Sequence, residues 1–343
     1  MDHSKNMIRN LVIPSIFIIG LICILFWTSD ISTRLSSFQY YQQCESLPNE
    51  IAASTRFALS PQDELETALS EASVGNNKTV IIAIINKAYV DGETTMLSVF
   101  LQSFWLGEET RYLINHLLLV SVDQVSFERC KFLRLHCYRL VTEGVDFDRE
   151  KLYDSHEFKN MMWRRTEFLA DVLRRGYSFI FTQDPDQNDD IQMSCDNFNG
   201  DPWSGVNSRL LNTGFYYVRS NNNTISLFNA WYRMKEDPKF NAKKDQDALK
   251  VLFNWGVLRT LKVRWLDTLY FSGFCQDSKD IKVVSTVHAN CCRSINAKVI
   301  DLMSVLREWR KFRDGVPTIS AVNGTIWSPH LECANSWKRK IRV

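Results

Sequence analysis

The sequence predicts a doubly wound α/β fold, a mainly parallel sheet flanked by helices, and three observations carry that prediction. A continuous apolar run rich in β-branched residues at 79–86 has the pattern of a strand buried on both faces, and residues 116–122 and 135–141 read as a second buried strand and a third. Stretches with helical spacing separate them, so the order is strand, helix, strand, helix, strand. An amphipathic helix over residues 158–175 then stops at Gly176 and leads into a further strand, Tyr177 to Thr182, that runs straight into Asp184-Pro185-Asp186. Glycine just past a periodic segment is a natural helix stop.

Ahead of this body lies a different kind of segment. Residues 10–29 carry no charge, and 11–27 are almost wholly apolar; about 20 such residues span a bilayer at about 1.5 Å per residue. Asn10, Ser15 and Thr28 are polar but uncharged and sit mainly near its ends. A cleaved signal peptide would have a shorter apolar stretch followed by small residues, whereas bulky Phe26-Trp27 closes this one, which favours an uncleaved anchor over 11–28. Lys5 and Arg9 in residues 1–10 suit a cytosolic N-terminus, leaving the rest of the chain in a secretory lumen.

Other features agree with that compartment. Asn77, Asn222 and Asn323 each open an Asn-x-Thr acceptor triplet for N-glycosylation. Of nine cysteines one is Cys23, inside the apolar segment; the other eight permit disulfides whose pairing the sequence leaves open. No Cys-x-x-Cys pair exists, so none of the spacings resembles a zinc site. Residues 29–62 lack sustained periodicity and read as a stem.

The 343 residues, 45% hydrophobic and 12% aromatic, can bury a substantial core. A net charge of +2 is too small to point to nucleic acid. The globular body is placed at 63–315, with 316–343 as a C-terminal tail. Leu97, Phe100, Leu101 and Phe104 form the helical stripe after the first strand, and Met162, Thr166, Leu169 and Leu173 the stripe of the long helix. A further strand is expected at 281–287.

In open parallel sheets ligands bind beyond the carboxyl ends of the strands, which is where Asp184 and Asp186 are expected. Two carboxylates one residue apart can converge on a divalent cation that bridges phosphate oxygens; the same acidic run, continued by Asp189-Asp190, also reads as a solvated turn. Neither Gly-x-Gly-x-x-Gly nor Gly-x4-Gly-Lys occurs, so no glycine loop cradles phosphates. Asn86, at the end of the first strand, is a donor-binding candidate.

The second half carries a set of motifs in order: Asp196-Asn-Phe-Asn-Gly-Asp-Pro-Trp203, Leu211-Asn-Thr-Gly-Phe-Tyr216, Asp245-Gln-Asp247, Arg264-Trp-Leu-Asp-Thr-Leu-Tyr-Phe-Ser-Gly-Phe-Cys275 and Val287-His-Ala-Asn-Cys-Cys292, preceded by Met161-Met-Trp-Arg-Arg165. Together they resemble the plant nucleotide-diphospho-sugar transferase domain family, which includes cell-wall xylosyl- and arabinosyltransferases of the Golgi. The resemblance covers residues 79–312. It implies a GT-A type, Rossmann-like fold and a retaining transfer of a sugar, a pentose above all, from a UDP-sugar to a polysaccharide or glycoprotein acceptor. A Golgi type II membrane protein with a lumenal catalytic domain follows from the same likeness and the anchor.

The resemblance also implies a Mn2+ or Mg2+ ion held by Asp184, Asp186 and His288; imidazole and carboxylate oxygens form a mixed set suited to Mn2+. Asn212 is a candidate for the donor sugar, against its reading as a turn into a strand. Gln246 and Asp247 are catalytic candidates, to contact the sugar or stabilise charge at its anomeric carbon; the alternative is an acidic first helical turn. Arg165 has a planar fork suited to donor phosphates or is a solvated helix charge. Asp267 contacts donor or acceptor, or caps a turn, and Trp203 is the candidate for stacking on a sugar.

One departure falls on the acidic pair. Members of the family continue from this strand through Asp-x-Asp into a Met-Trp stretch and an Arg-x-Pro turn. Here only eleven residues separate Thr182 from Ser194-Cys195-Asp196, and Gln183 stands where the first aspartate is expected. A segment on the order of 15 residues is missing relative to the family. Asp184 and Asp186 are then shifted substitutes, with Pro185 fixing φ near about −65° between them, or they belong to a variable loop. The alternative function is a catalytically inactive homologue or splice form that serves as a partner of active transferases.

Overall fold

The structure is a computed structural model that describes residues 61–73, 78–142, 150–151, 154–180, 189–203, 211–240, 242–255, 260–316 and 327–338. The anchor and stem segments, Asp184 and Asp186, and the sequon asparagines Asn77 and Asn323 lie outside the described residues. Among the described residues no helix is long and apolar enough to cross a membrane.

The elements run in order α1 (Pro61–Ala72), β1 (Thr79–Ile85), α2 (Lys87–Val90), α3 (Met96–Leu106), β2 (Leu117–Ser121), α4 (Gln124–Phe132), β3 (His136–Arg139), α5 (His156–Arg174), β4 (Ser178–Ile180), β5 (Ile191–Cys195), β6 (Leu211–Val218), α6 (Asn222–Arg233), α7 (Asp245–Asn254), β7 (Val263–Trp265), β8 (Phe271–Gly273), β9 (Thr286–His288), α8 (Ile295–Arg313) and α9 (Leu331–Ser336). Seven strands form one sheet in the order β3-β2-β1-β4-β6-β5-β7. All pairs are parallel except those of β6, which runs against both β4 and β5. The fold is mixed α/β with a mostly parallel sheet.

The continuous apolar runs are explained by burial on two faces. Val80 and Ile82 of β1 and Leu118 and Val120 of β2 pack with Leu169, Val172 and Leu173 of α5 and with α1. The alternate residues Ile85, Leu117 and Leu119 pack on the other face with Leu97 of α3 and Cys130 of α4. Period-2 side-chain alternation therefore delivers apolar groups to both layers.

Local chemistry sets the helix ends. Ser155 caps α5 by accepting from the Phe158 N–H at 3.1 Å, and Thr95 and Asn221 close capping boxes on α3 and α6. At the far end of α5 the Gly176 N–H donates to Leu173 O and the Tyr177 N–H to Val172 O, with Gly176 at φ +83. This is a Schellman stop that turns the chain straight into β4.

The expected strand over 281–287 is much shorter. Only Thr286–His288 pairs, with β8 in a separate two-stranded parallel sheet. Residues just before it turn about Asp280, whose carboxylate accepts from the Lys282 N–H at 3.0 Å, so local side-chain bonding competes with extension. Disulfides Cys275–Cys291 and Cys292–Cys333 then staple this small layer to its own loop and to α9; Cys130–Cys137 joins α4 to β3.

Candidate functional site

The carboxyl ends of β1, β4, β5 and β7 point to one side of the sheet, and β6 begins there because it runs the other way. Asn86, Asp196, Asn212 and Asp267 each stand within two residues of one of those ends. The N-terminal half of α5, with Arg165, reaches the same side, since α5 must run back across the sheet to enter β4. The crevice expected at strand ends is therefore the place where most of the candidates meet.

His288 forms the roof of this crevice. A Cβ built on Gly214 would stand 2.7 Å from His288 Cε1 and 2.8 Å from Nε2, so the imidazole rests on bare β6 backbone. The Phe215 ring flanks it at 6.1 Å between centroids. Burial pushes the His288 pKa down to about 3, with the neighbouring Lys298 ammonium adding to the shift. The ring is neutral at ordinary pH, and its shielded Nδ1 has no hydrogen-bond partner among the described residues. A neutral imidazole with a spare nitrogen fits a divalent cation. Among the described residues no three His, Cys, Asp or Glu side chains converge as a metal cluster, and the two aspartates assigned to the ion lie outside them.

Beneath the roof, Asn212 is held at both ends of its amide. Its Oδ1 accepts from the Gly214 N–H at 2.7 Å, and its Nδ2 donates to Asp196 Oδ1 at 2.6 Å. Asn212, Thr213 and Gly214 are the second to fourth residues of β6, inside the strand and not in a turn. Thr213 donates through both its N–H and its hydroxyl to Gln246 Oε1, each at 3.1 Å. Gln246 is thus tied to the floor of the crevice. Asp247 is half-exposed and faces Lys250 at 3.9 Å.

Arg165 is engaged with a buried carboxylate. Its Nη2 lies 2.8 Å from Asp245 Oδ2, and Asp245 is 2% exposed. The same oxygen accepts from the Thr166 hydroxyl at 3.3 Å, and Oδ1 accepts from the Gln246 N–H at 2.8 Å. Asp245 therefore fixes both the α5 guanidinium and the start of α7, where a carboxylate also complements the helix dipole. Burial raises the pKa of Tyr89, with the Glu150 charge adding to the shift and the Arg165 charge opposing it.

Asp267 caps a turn: its Oδ1 accepts from the Leu269 N–H at 2.8 Å. Asn86 is 2% exposed and its carbonyl accepts from the Tyr89 N–H at 2.9 Å. Trp203 is exposed, with the Arg264 guanidinium over its ring at 4.8 Å. Asn222 is exposed on the first turn of α6, next to its sequon partner Thr224, whose hydroxyl donates to Arg219 O at 2.6 Å.

Sequence reasoning missed several groups. Lys298, on the first turns of α8, is half-buried and has no ion pair among the described residues; burial lowers its pKa and nearby Glu150 opposes that shift. No periodicity marks it, because only the return of α8 to the crevice brings it beside His288. Asp196 and Asn290 were inside recognised motifs, but their contact spans 94 positions. A hollow of about 350 Å³ lined by Trp105, Ile114, Leu133 and His136 lies at the opposite, amino ends of β2 and β3, so it is not part of this site.

A sequence model described as nucleotide-diphospho-sugar transferase matches residues 112–302, a span that runs from just before β2 to the first turns of α8. Two uncharacterized Arabidopsis thaliana proteins are similar along most of their length. One is 50% identical over 294 residues, covering 81% of this chain and 85% of its own; the other is 35% identical over 297 residues, covering 85% and 79%. The matched span includes the crevice ends of β4, β5, β6 and β7 and the imidazole roof, though not β1 and Asn86, and the chain belongs to the nucleotide-diphospho-sugar transferase family.

Proposed function

We propose that this chain is a glycosyltransferase of GT-A type that moves a pentose, such as xylose or arabinose, from a UDP-sugar to a cell-wall polysaccharide or glycoprotein. The observation that carries the reading is the seating of His288 on Gly214 beside the doubly held Asn212, at the carboxyl ends of the strands. Family membership implies a nucleotide-sugar donor and an acceptor. The pentose and the acceptor class rest on the motif resemblance to cell-wall transferases.

The chain's own groups divide the work. Lys298, without an ion pair among the described residues, supplies a cation for the anionic donor. Asn212 offers its remaining amide hydrogen to the sugar, and Gln246, anchored by Thr213, flanks the same floor. A bound Mn2+ or Mg2+ would offset the charge that develops on the departing diphosphate. Among the described residues His288 would supply a ligand, its Nδ1 having no hydrogen-bond partner there.

Three disulfides support a secretory compartment, because such bonds persist where the environment is oxidising. Together with the apolar segment at 11–28 they support a type II protein of the Golgi membrane with its catalytic body in the lumen. The test is a screen of UDP-sugars with the full chain, with and without Mn2+, reading release of UDP. Turnover of a UDP-pentose that needs the metal supports the proposal. No turnover with any donor, together with no UDP binding by calorimetry, would sink it in favour of a silent homologue that partners active enzymes, the outcome to which the shortened acidic segment points.

A further inference from the structure

Asp196 leaves the end of β5 and accepts two hydrogen bonds on one carboxylate oxygen. Asn212 Nδ2 donates to Oδ1 at 2.6 Å and Asn290 Nδ2 donates to it at 3.1 Å. Asn290 is 8% exposed, and its own Oδ1 accepts from the Cys275 N–H at 3.1 Å. A continuous chain of bonds thus runs from the small β8–β9 layer, through Asn290 and Asp196, to Asn212 and the Gly214 N–H in the main sheet.

Each amide in this chain has one possible orientation. A backbone N–H is only a donor and an ionised carboxylate only an acceptor, so Asn212 must turn Oδ1 to Gly214 and Nδ2 to Asp196. Asn290 is fixed in the same way between Cys275 and Asp196. Two further constraints keep Asn290 in place. A Cβ on Gly273 would stand 2.8 Å from Asn290 Oδ1 and 3.0 Å from Nδ2, so the amide lies flat on that glycine. The Cys275–Cys291 disulfide bridges the segments on either side of it.

Asn212 needs such support. Near the mouth of β6 it would otherwise rotate freely about two side-chain torsions, and a group that must meet a sugar hydroxyl gains from being held before the ligand arrives. With Oδ1 and one Nδ2 hydrogen engaged, a single amide hydrogen is left, and the plane of the amide fixes its direction. The carboxylate matters because charge-assisted bonds are roughly twice as strong as neutral ones.

We propose that Asp196 and Asn290 are positioning residues: a polar latch between the two sheets that aims the Asn212 amide at a hydroxyl of the donor sugar. This rests on the crevice being the donor site, and the latch itself is measurable without turnover. In the full chain, hydrogen–deuterium exchange is followed in the peptide spanning residues 211–216 for the wild type, Asp196→Ala, Asp196→Asn and Asn290→Ala. The Gly214 amide is expected to exchange about tenfold faster in the two alanine variants, the loss of roughly one hydrogen bond, and to an intermediate degree in Asp196→Asn, which keeps an acceptor. Exchange unchanged in Asn290→Ala and in both Asp196 variants overturns the latch; because Asp196→Asn is isosteric, a misfolded Asp196→Ala leaves the test intact.

Kinetics supply the second readout. Asp196→Ala should lower kcat about tenfold or more with the donor, and the double variant with Asn212→Ala should be no slower than Asn212→Ala alone, since both changes remove one unit. Additive losses count against positioning through Asn212. A wild type that turns over no UDP-sugar removes the donor reading, while the exchange result still decides whether the latch exists.

Discussion

His288 lies on the backbone of Gly214, so closely that a methyl group there would stand 2.7 Å from its Cε1. Side chains essentially never approach that near, and the ring cannot close on any other residue without shifting. Gly214→Ala should lift the imidazole from the crevice at a stability cost of about 1–3 kcal/mol. Activity should fall by about 100-fold, the scale expected for a misplaced group. Thermal melting beside donor turnover checks this, and unchanged turnover would show that His288 has no part in the chemistry.

Asp245 is held inside by Arg165, Thr166 and the Gln246 N–H. Removing one partner of a buried pair strands the other's charge, so Asp245→Ala should cost about 3–5 kcal/mol. Denaturant titration is the measurement. A loss below about 1 kcal/mol would place Arg165 effectively in solvent.

The two disulfides of the C-terminal part close loops of 16 and 41 positions. Loop-closure entropy assigns them about 3 and about 4 kcal/mol. Cys275→Ser and Cys333→Ser should each lower the unfolding free energy on that scale. Peptide mapping without reductant should recover Cys275 linked to Cys291 and Cys292 linked to Cys333.

Cys195 is a free, buried thiol whose pKa burial pushes up to about 12, with Asp196 and Asp267 adding to the shift. At pH 8 only about one molecule in ten thousand carries the thiolate, the form that reacts with iodoacetamide. The Cys195 peptide should remain unlabelled in the native protein and become labelled in denaturant. Rapid native labelling would mean that the end of β5 opens readily.

Asp190 joins three segments. Burial pushes its pKa up, but the Lys262 N–H, Arg219 and Asn221 outweigh that effect and leave it below its ordinary value of 3.8. The unfolded chain then binds a proton at higher pH than the folded chain does, so this stabilisation is complete above about 3.8 and lost as pH falls through the folded value. Asp190→Asn should remove that acid dependence and cost about 1.5–3 kcal/mol at neutral pH. Urea titrations across acidic pH would reveal a slope that survives the substitution if another group is responsible.

Much of the sheet could be read in advance. The strand at 79–86 exceeds β1 by one residue at its end and that at 116–122 exceeds β2 by one residue at each end, because a strand covered on both faces needs an unbroken apolar run. The long helix and its stop at Gly176 were equally legible, since a Schellman turn needs a residue that tolerates positive φ. The stretch 281–287 is a strand only at its end: Ile281 and Val284 pack in the cluster of Trp309 and Trp327 outside any strand, while Val287 packs there and also pairs, and apolar content alone does not distinguish those uses.

The motifs named Asn212, Gln246 and His288 as chemically meaningful, and composition with period-2 and helical patterning was enough for the fold class, because both are properties of neighbours along the chain. Which groups touch was settled only by folding. Asp196 meets Asn290 across 94 positions and Arg165 meets Asp245 across 80; such contacts depend on the antiparallel entry of β6 and on disulfides that sequence left unpaired. Local pattern records what each segment must bury, whereas the packing of segments decides which polar groups are left to face one another.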